Sequence, residues 1–271
     1  MRVVSLRVYP VKSTAVREVS SSYLSRAGLR GDREWMVVDA EGATVTAREL
    51  PALFTISADA PGPALEDPLV LRAPGVEPLI VARPAGPRVS ARMFTRPPMD
   101  VIPAGGEADA WLQRALGVPG LRLVWCDDPT RRSLNPAFSR PGDHARLQDG
   151  YPLSVCSLAS LRQLNEWIAQ AGGEALPVER FRPNVVIDGD EPFAEDRWES
   201  VQLGTVTLRA AKPVDRCVMT LIDPLTLAKG KEPIRTLSRH RRWDGKTWCC
   251  HHLIPDGEGQ LAVGDEVIAS R

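Results

Sequence analysis

Proline and glycine interrupt the apolar runs of this chain so often that few runs can be anything but short strands. The 271 residues include 24 prolines and 21 glycines, and a proline inside a helix removes a hydrogen bond and clashes with the preceding turn. Val3, Leu6 and Val8 open a strand that ends at Tyr9-Pro10-Val11-Lys12-Ser13. Val16–Leu24 reads as a second strand, with turns at Gly28 and Gly31. Trp35–Asp39 is a third, and Asp39-Ala40-Glu41-Gly42 predicts a hairpin into Ala43–Ala47. Further short runs lie at Phe54–Ala58, Leu69–Leu71, Leu79–Val81 and Val89–Met93. Helical spacing first emerges at Ala108–Leu116, where Trp111, Leu112 and Leu116 share a face.

Leu121–Cys126 is strand-like, and a polar stretch rich in arginine and proline follows from Asp127 to Gly150. A loop of that length is commonly functional or a linker. It sets the expected division at residues 1–126 and 127–271. The second half opens with the strand Pro152–Cys156 and the helix Leu158–Gln170, with Ser157 as N-cap. Strands are predicted at Asn184–Asp188, Val201–Leu203, Val206–Ala210, Val218–Ile222, Thr247–Leu253 and Glu266–Ala269. The expected class is mainly β with some α, an α+β chain of two domains.

Composition narrows the partners. Lys+Arg and Asp+Glu balance at 34 each, so no net field favours nucleic acid or an anionic membrane. No stretch approaches 18 uninterrupted apolar residues, which argues against a transmembrane helix. The five cysteines are scattered, and the chain enters a strand pattern by Val3 with no secretory segment before it. A reducing, cytoplasmic setting is expected.

Asp215-Arg216-Cys217 is the tripeptide most suggestive of chemistry. A cation beside a cysteine favours the thiolate, the form that reacts or binds metal, although a lone free cysteine is usually an inert buried residue. Lys12 is the only lysine in the first 200 residues, and an ammonium at a strand end suits a phosphate. Arg33 stands where Gly31-Asp32-Arg33-Glu34-Trp35 enters an apolar strand. Arg182 and Asn184 flank Pro183 at the mouth of another, and their donors suit a polar heterocycle or phosphate. Each also reads as an ordinary turn residue. Glu191–Asp196 reads as a solvated acidic turn, and Cys249-Cys250-His251-His252 as alternating strand packing that cannot close a zinc cage by itself. Dinucleotide, phosphate-loop, serine-hydrolase and ferredoxin spacings do not occur.

Taken together, the segments resemble the MOSC family, the molybdenum cofactor sulfurase C-terminal domain with its N-terminal β-barrel partner. The matching residues include Tyr9–Ser13, Gly31–Trp35, Thr46-Ala47-Arg48, Asp149–Pro152, Arg180–Asn184, Ala194–Trp198, Asp215–Cys217, Asp223-Pro224, Lys231–Pro233 and Val263–Val267. Within the family the chain is most similar to the mitochondrial amidoxime-reducing component and its bacterial relatives. That resemblance implies an N-terminal β-barrel-like domain and a C-terminal MOSC barrel with flanking helices. It implies a molybdenum cofactor ligated by Cys217, with Lys12, Ser13, Arg33, Arg182, Asn184 and Arg216 contacting pterin and phosphate. Gly150, Tyr151 and Asp215 fall at adjoining positions. The implied activity is reduction of N-hydroxylated small molecules, with electrons from a separate ferredoxin, flavodoxin or cytochrome-type protein. The alternative is a cofactor carrier or sulfur-transfer protein in which Cys217 bears a persulfide. Soft sulfur donors suit such a metal, and an anionic cofactor calls for Lys and Arg.

Overall fold

In a computed structural model of the chain, which describes residues 1–59 and 67–271, the short apolar runs form four sheets. The largest has nine strands. Its order is Val267–Ser270, Ser200–Leu203, Val206–Asp215, Lys246–Pro255, Leu153–Ser157, Val185–Ile187, Val3–Val8 and Arg17–Val19, and Arg242–Trp243 pairs onto Lys246–Pro255. The only parallel neighbours in it, among the described residues, are Leu153–Ser157 and Val185–Ile187. Parallel strands need a crossover, which is supplied by the second of three α-helices among the described residues: α1 (Gly106–Leu116), α2 (Leu158–Gln170) and α3 (Ile234–His240).

The predicted start of α2 is met in detail. Ser157 Oγ accepts from the amides of Ala159 (3.1 Å) and Ser160 (3.4 Å), a cap whose loss costs about 1 kcal/mol. Leu161, Leu164 and Ile168 are buried on one stripe, against Cys156, Phe181, Val186 and Leu237. A second core, around Leu6, Leu153, Leu208 and Leu253, fills the large sheet. Fully burying each such side chain contributes about 1.5–3 kcal/mol.

Four strands, Trp35–Val38, Arg122–Trp125, Met99–Pro103 and Val89–Ala91, make a second sheet. Against it and the hairpin Leu69–Ala73/Val76–Val81 lies α1, whose Trp111 indole donates to Glu77 O at 2.7 Å. Ser21–Ser25 pairs with Gly259–Ala262, and Val3–Val8 with Val185–Ile187. The first thirty residues are thus woven into strands from the far end of the chain. Gly28 shows how tightly: with φ +104°, a Cβ on it would lie 2.3 Å from the Pro152 carbonyl oxygen.

Four runs fold differently from the sequence reading. Val16–Leu24 is two strands, because Arg17–Val19 pairs with Val3–Val8 while Ser21–Ser25 turns to Gly259–Ala262. Ala43–Ala47 makes only single bridges. Thr46 Oγ1 instead donates to Glu49 at 2.6 Å, and the Glu49 carboxylate accepts from the Thr46 amide at 3.1 Å. Such side-chain bonds compete with a ladder. Phe54–Ala58 divides into a 3-10 turn, Pro51–Thr55, and the strand Ser57–Asp59. Val218–Leu221 is also a 3-10 turn, with Thr220 Oγ1 and its amide both donating to Cys217 O. Among the described residues no helix is long and apolar enough to cross a membrane.

Candidate functional site

Strand ends and turns from several parts of the chain converge on one cleft of about 490 Å³, a volume typical of small-ligand sites. Lys12, Ser13, Arg33, Gly150, Tyr151, Arg182, Asn184, Asp215, Arg216 and Cys217 all line it. The structure therefore brings every site residue expected from the sequence to one place. Four of its lining residues, Ser13, Arg33, Phe94 and Arg182, hold left-handed φ between +48° and +70°. Non-glycine residues rarely adopt that conformation, at a cost on the order of 1–3 kcal/mol each, and here it clusters around a single cavity.

Lys12 is positioned by two short segments locked to each other. Its amide donates to Trp35 O at 2.8 Å, and the Trp35 amide donates to Pro10 O at 3.1 Å. The ammonium is buried, donating to Leu147 O at 2.8 Å and to the Asp149 carboxylate. Burial lowers its pKa to about 8, against the opposing pull of Asp149. Asp149 also accepts from Arg48 Nη2 at 2.7 Å. Burial raises the Asp149 pKa, but Lys12 and Arg48 outweigh it and hold the carboxyl well below its usual range. Its side chain is 46% exposed, so solvent screens part of that pull.

Arg33 and Arg182 share the Tyr9 ring, each with its guanidinium carbon 4.1 Å from the centroid. Two cations at one aromatic ring are held by its π-face and by buried Asp32, which accepts from Arg33 Nη1 at 2.8 and 2.9 Å. Burial lowers the Arg182 pKa, and its Nη2 is buried without a hydrogen-bond partner. Arg216 Nε is orphaned in the same way. Orphaned guanidinium atoms beside a cavity fit an anionic ligand that completes them.

The neighbours of Cys217 differ from the sequence reading. Arg216 Nη1 donates to Phe181 O at 3.0 Å and lies 3.9 Å from Cys250 Sγ. The cation that reaches Cys217 is Arg48, whose Nη2 donates to Sγ at 3.4 Å. Cys217 is the exposed member of the five free cysteines, while Cys126, Cys156, Cys249 and Cys250 are buried. Its exposure at the end of the long strand Val206–Asp215 leaves the sulfur open to a ligand.

The remaining predicted residues shape the walls. Asn184 is buried, and its amide ties strands together, accepting from Ser154 N at 3.2 Å and donating to Arg7 O at 3.2 Å. Gly150 permits a close approach, since a Cβ there would stand 2.8 Å from His252 Nε2. Tyr151 packs on that imidazole with centroids 5.0 Å apart. Burial and Arg216 hold the His252 pKa down to about 3, so the ring is neutral. Asp215 is exposed and 3.6 Å from Lys246 Nζ.

Sequence reasoning missed Arg48, Asp149, Arg96, Lys212 and His252 as cleft residues. Thr46-Ala47-Arg48-Glu49 carried a signal, because Thr and Glu three apart commonly fix a turn by reciprocal bonds. Two other readings change. Glu195 is not a solvated acid but is buried, accepting from Ser160 Oγ at 2.7 Å. Cys249 through His251 do not alternate: all three are buried, with Cys250 at φ +67°.

A cleft lined by buried Lys12 and partly buried arginines, with one exposed thiol at its edge, has the chemistry to receive an anionic ligand that takes a soft donor. Comparison with known families agrees. The MOSC N-terminal beta barrel domain matches residues 1–119, and the MOSC domain matches residues 143–268. The chain belongs to the MOSC family, which its relatives link to the molybdenum cofactor. It is 31% identical over 294 residues to mitochondrial amidoxime-reducing component 1 of Mus musculus, covering 98% of this chain and 81% of that protein. Mitochondrial amidoxime reducing component 2 of Rattus norvegicus is 31% identical over 284 residues, 96% of this chain and 80% of that one. Molybdenum cofactor sulfurase of Anopheles gambiae is 31% identical over 258 residues, 88% of this chain but 32% of the longer protein.

Proposed function

We propose that this chain is a molybdenum-cofactor-dependent oxidoreductase that reduces N-hydroxylated compounds, amidoximes or hydroxylamines, to amidines or amines. The observation that carries this reading is the convergence of one exposed thiol, buried Lys12 and four partly buried arginines, Arg33, Arg48, Arg182 and Arg216, on one cleft. The residues fit the group: Cys217 would ligate the metal, and Lys12 with Ser13 would hold a phosphate. Arg33, Arg182 and Arg216 would offer donors to a pterin, two of them through atoms that otherwise lack a partner. Asn184, Gly150, Tyr151 and Asp215 would form the wall beside it. When bound, the cofactor supplies the two-electron chemistry that cleaves the N–O bond.

The chain's own side chains then hold and orient. Arg48 sets the Cys217 sulfur by donating to it, and Asp149 fixes Arg48 and Lys12 at one carboxylate. Asp32 and Tyr9 keep Arg33 and Arg182 in place before any ligand arrives. Such preorganisation lowers the cost of binding. The same reading carries a separate electron-donor protein, and the five free cysteines accord with a reducing, cytoplasmic compartment.

The test is turnover of benzamidoxime by molybdenum-loaded protein with reduced methyl viologen as donor, measured as benzamidine formed. Turnover is expected, and its absence in loaded protein refutes the reductase. The match to molybdenum cofactor sulfurase favours a second reading, a carrier or sulfur-transfer protein whose exposed Cys217 bears a persulfide. That reading predicts bound cofactor without turnover.

A further inference from the structure

The chain carries no net charge, yet one stretch of it is strongly basic. Residues 218–246 hold seven Lys or Arg against three acids, Asp223, Glu232 and Asp244. Four of the chain's five lysines fall between Lys212 and Lys246. Lys229, Lys231, Arg235, Arg239, Arg242 and Lys246 are exposed. This stretch comprises α3 and the hairpin through Arg242–Trp243 that pairs back onto Thr247 and Lys246.

Packing sets the patch at the cleft mouth. Lys246 lines the cleft and lies 3.6 Å from Asp215, two residues before Cys217. α3 packs against the 3-10 turn Val218–Leu221, the first element after Cys217. Apolar side chains are exposed among these cations: Val218 at 46%, Leu225 at 92% and Trp243 at 40%. Trp243 is stacked on Trp248 at 5.7 Å, so it is held in place although exposed. Exposed apolar side chains within a charged rim, one of them an aromatic fixed by stacking, make the composition of a protein-docking face. Aliphatic anchors such as Val218 and Leu225 suit a protein better than a nucleic acid, which is bound by phosphate contacts and aromatic stacking.

We infer that α3, the 242–247 hairpin and the Val218–Leu225 segment form the docking face for an acidic one-electron carrier protein, which delivers reducing equivalents to the Cys217 end of the cleft. This deepens the proposed reductase function and rests on it. Reduction of an N–OH group to N–H takes two electrons and two protons and releases one water. Two reduced carriers therefore dock in turn, and each is oxidised by one electron. Basic-to-acidic complementarity speeds encounter and is screened by salt.

The experiment uses full-length protein and an acidic plant-type [2Fe–2S] ferredoxin. Calorimetry measures binding of the oxidised ferredoxin to wild type, to Arg239→Glu/Arg242→Glu, and to a control, Arg114→Glu, on the exposed side of α1. The expected result is a dissociation constant weakened about tenfold or more in the double variant, little change in the control, and a similar weakening of wild type on raising NaCl from about 20 to 300 mM. No ferredoxin binding, or an equal loss in the control, overturns the inference. So does preferential binding of a single-stranded oligonucleotide. Methyl viologen turnover bypasses docking, so it reports failure of the reductase reading separately from failure of the docking face.

Discussion

Replacing Lys12 with methionine should stabilise the fold while abolishing anion binding. The Lys12 side chain is 5% exposed, and burial lowers its pKa from 10.5 to about 8. At about 1.4 kcal/mol per unit, keeping that ammonium charged inside the fold costs about 3 kcal/mol at neutral pH. Methionine occupies a similar volume without the charge. Against the gain stand the lost bond to Leu147 O, about 1 kcal/mol, and a partner lost by half-exposed Asp149, which keeps Arg48. The net expectation is about 2 kcal/mol of added stability at pH 7, by urea unfolding of cofactor-free protein. The sign with pH follows from the depressed value. Between about pH 8 and 10.5 the unfolded wild type binds more protons than the folded, so wild-type stability rises with pH there. Below about 8 the full penalty is present, and above 10.5 it is gone. Lys12→Met should lack that rise, and its lead over wild type should shrink across the same window. A variant less stable than wild type at pH 7, with the same pH slope, would refute the reasoning. Pterin phosphate should be retained by wild type and lost from the variant.

Further substitutions test how the cleft and its scaffold are held. Asp32→Asn leaves the Arg33 and Arg182 cations without their buried counter-charge, and should cost about 3 kcal/mol in urea unfolding and lower pterin content. Gly28→Ala adds a Cβ 2.3 Å from the Pro152 carbonyl at φ +104°. It should cost about 2–4 kcal/mol, since the contact is backbone and the conformation disfavours alanine. Leu164→Ala empties a fully buried position on α2, at about 2–5 kcal/mol, and a melt unchanged from wild type would contradict that packing.

What could be read in the sequence divides by the range of the interactions involved. α2 was legible from its first residue to its last, because both the Ser157 cap and the apolar stripe are local. Most strands of the second half were legible for the same reason. The split of Val16–Leu24 was not, since Ser21–Ser25 finds its partner more than 230 residues away, at Gly259–Ala262. Lys12, Arg33, Arg182, Asn184 and the Asp215–Cys217 tripeptide were legible as separate motifs, and resemblance added Ser13, Gly150 and Tyr151 and put all ten in one set. Their partners were not, because what touches Cys217 depends on a turn 169 positions earlier. Adjacency suggested Arg216, whereas the strand end turns that side chain toward Phe181 and Cys250.

Molybdenum and pterin content, measured on purified wild type beside Cys217→Ala with both loaded under the same conditions, decides whether Cys217 ligates the metal. Wild type should hold molybdenum with pterin, and the variant should lose the metal while Lys12, Arg33 and Arg182 still retain some pterin. Molybdenum fully bound without the Cys217 thiolate, or no molybdenum in loaded wild type, would contradict that ligation.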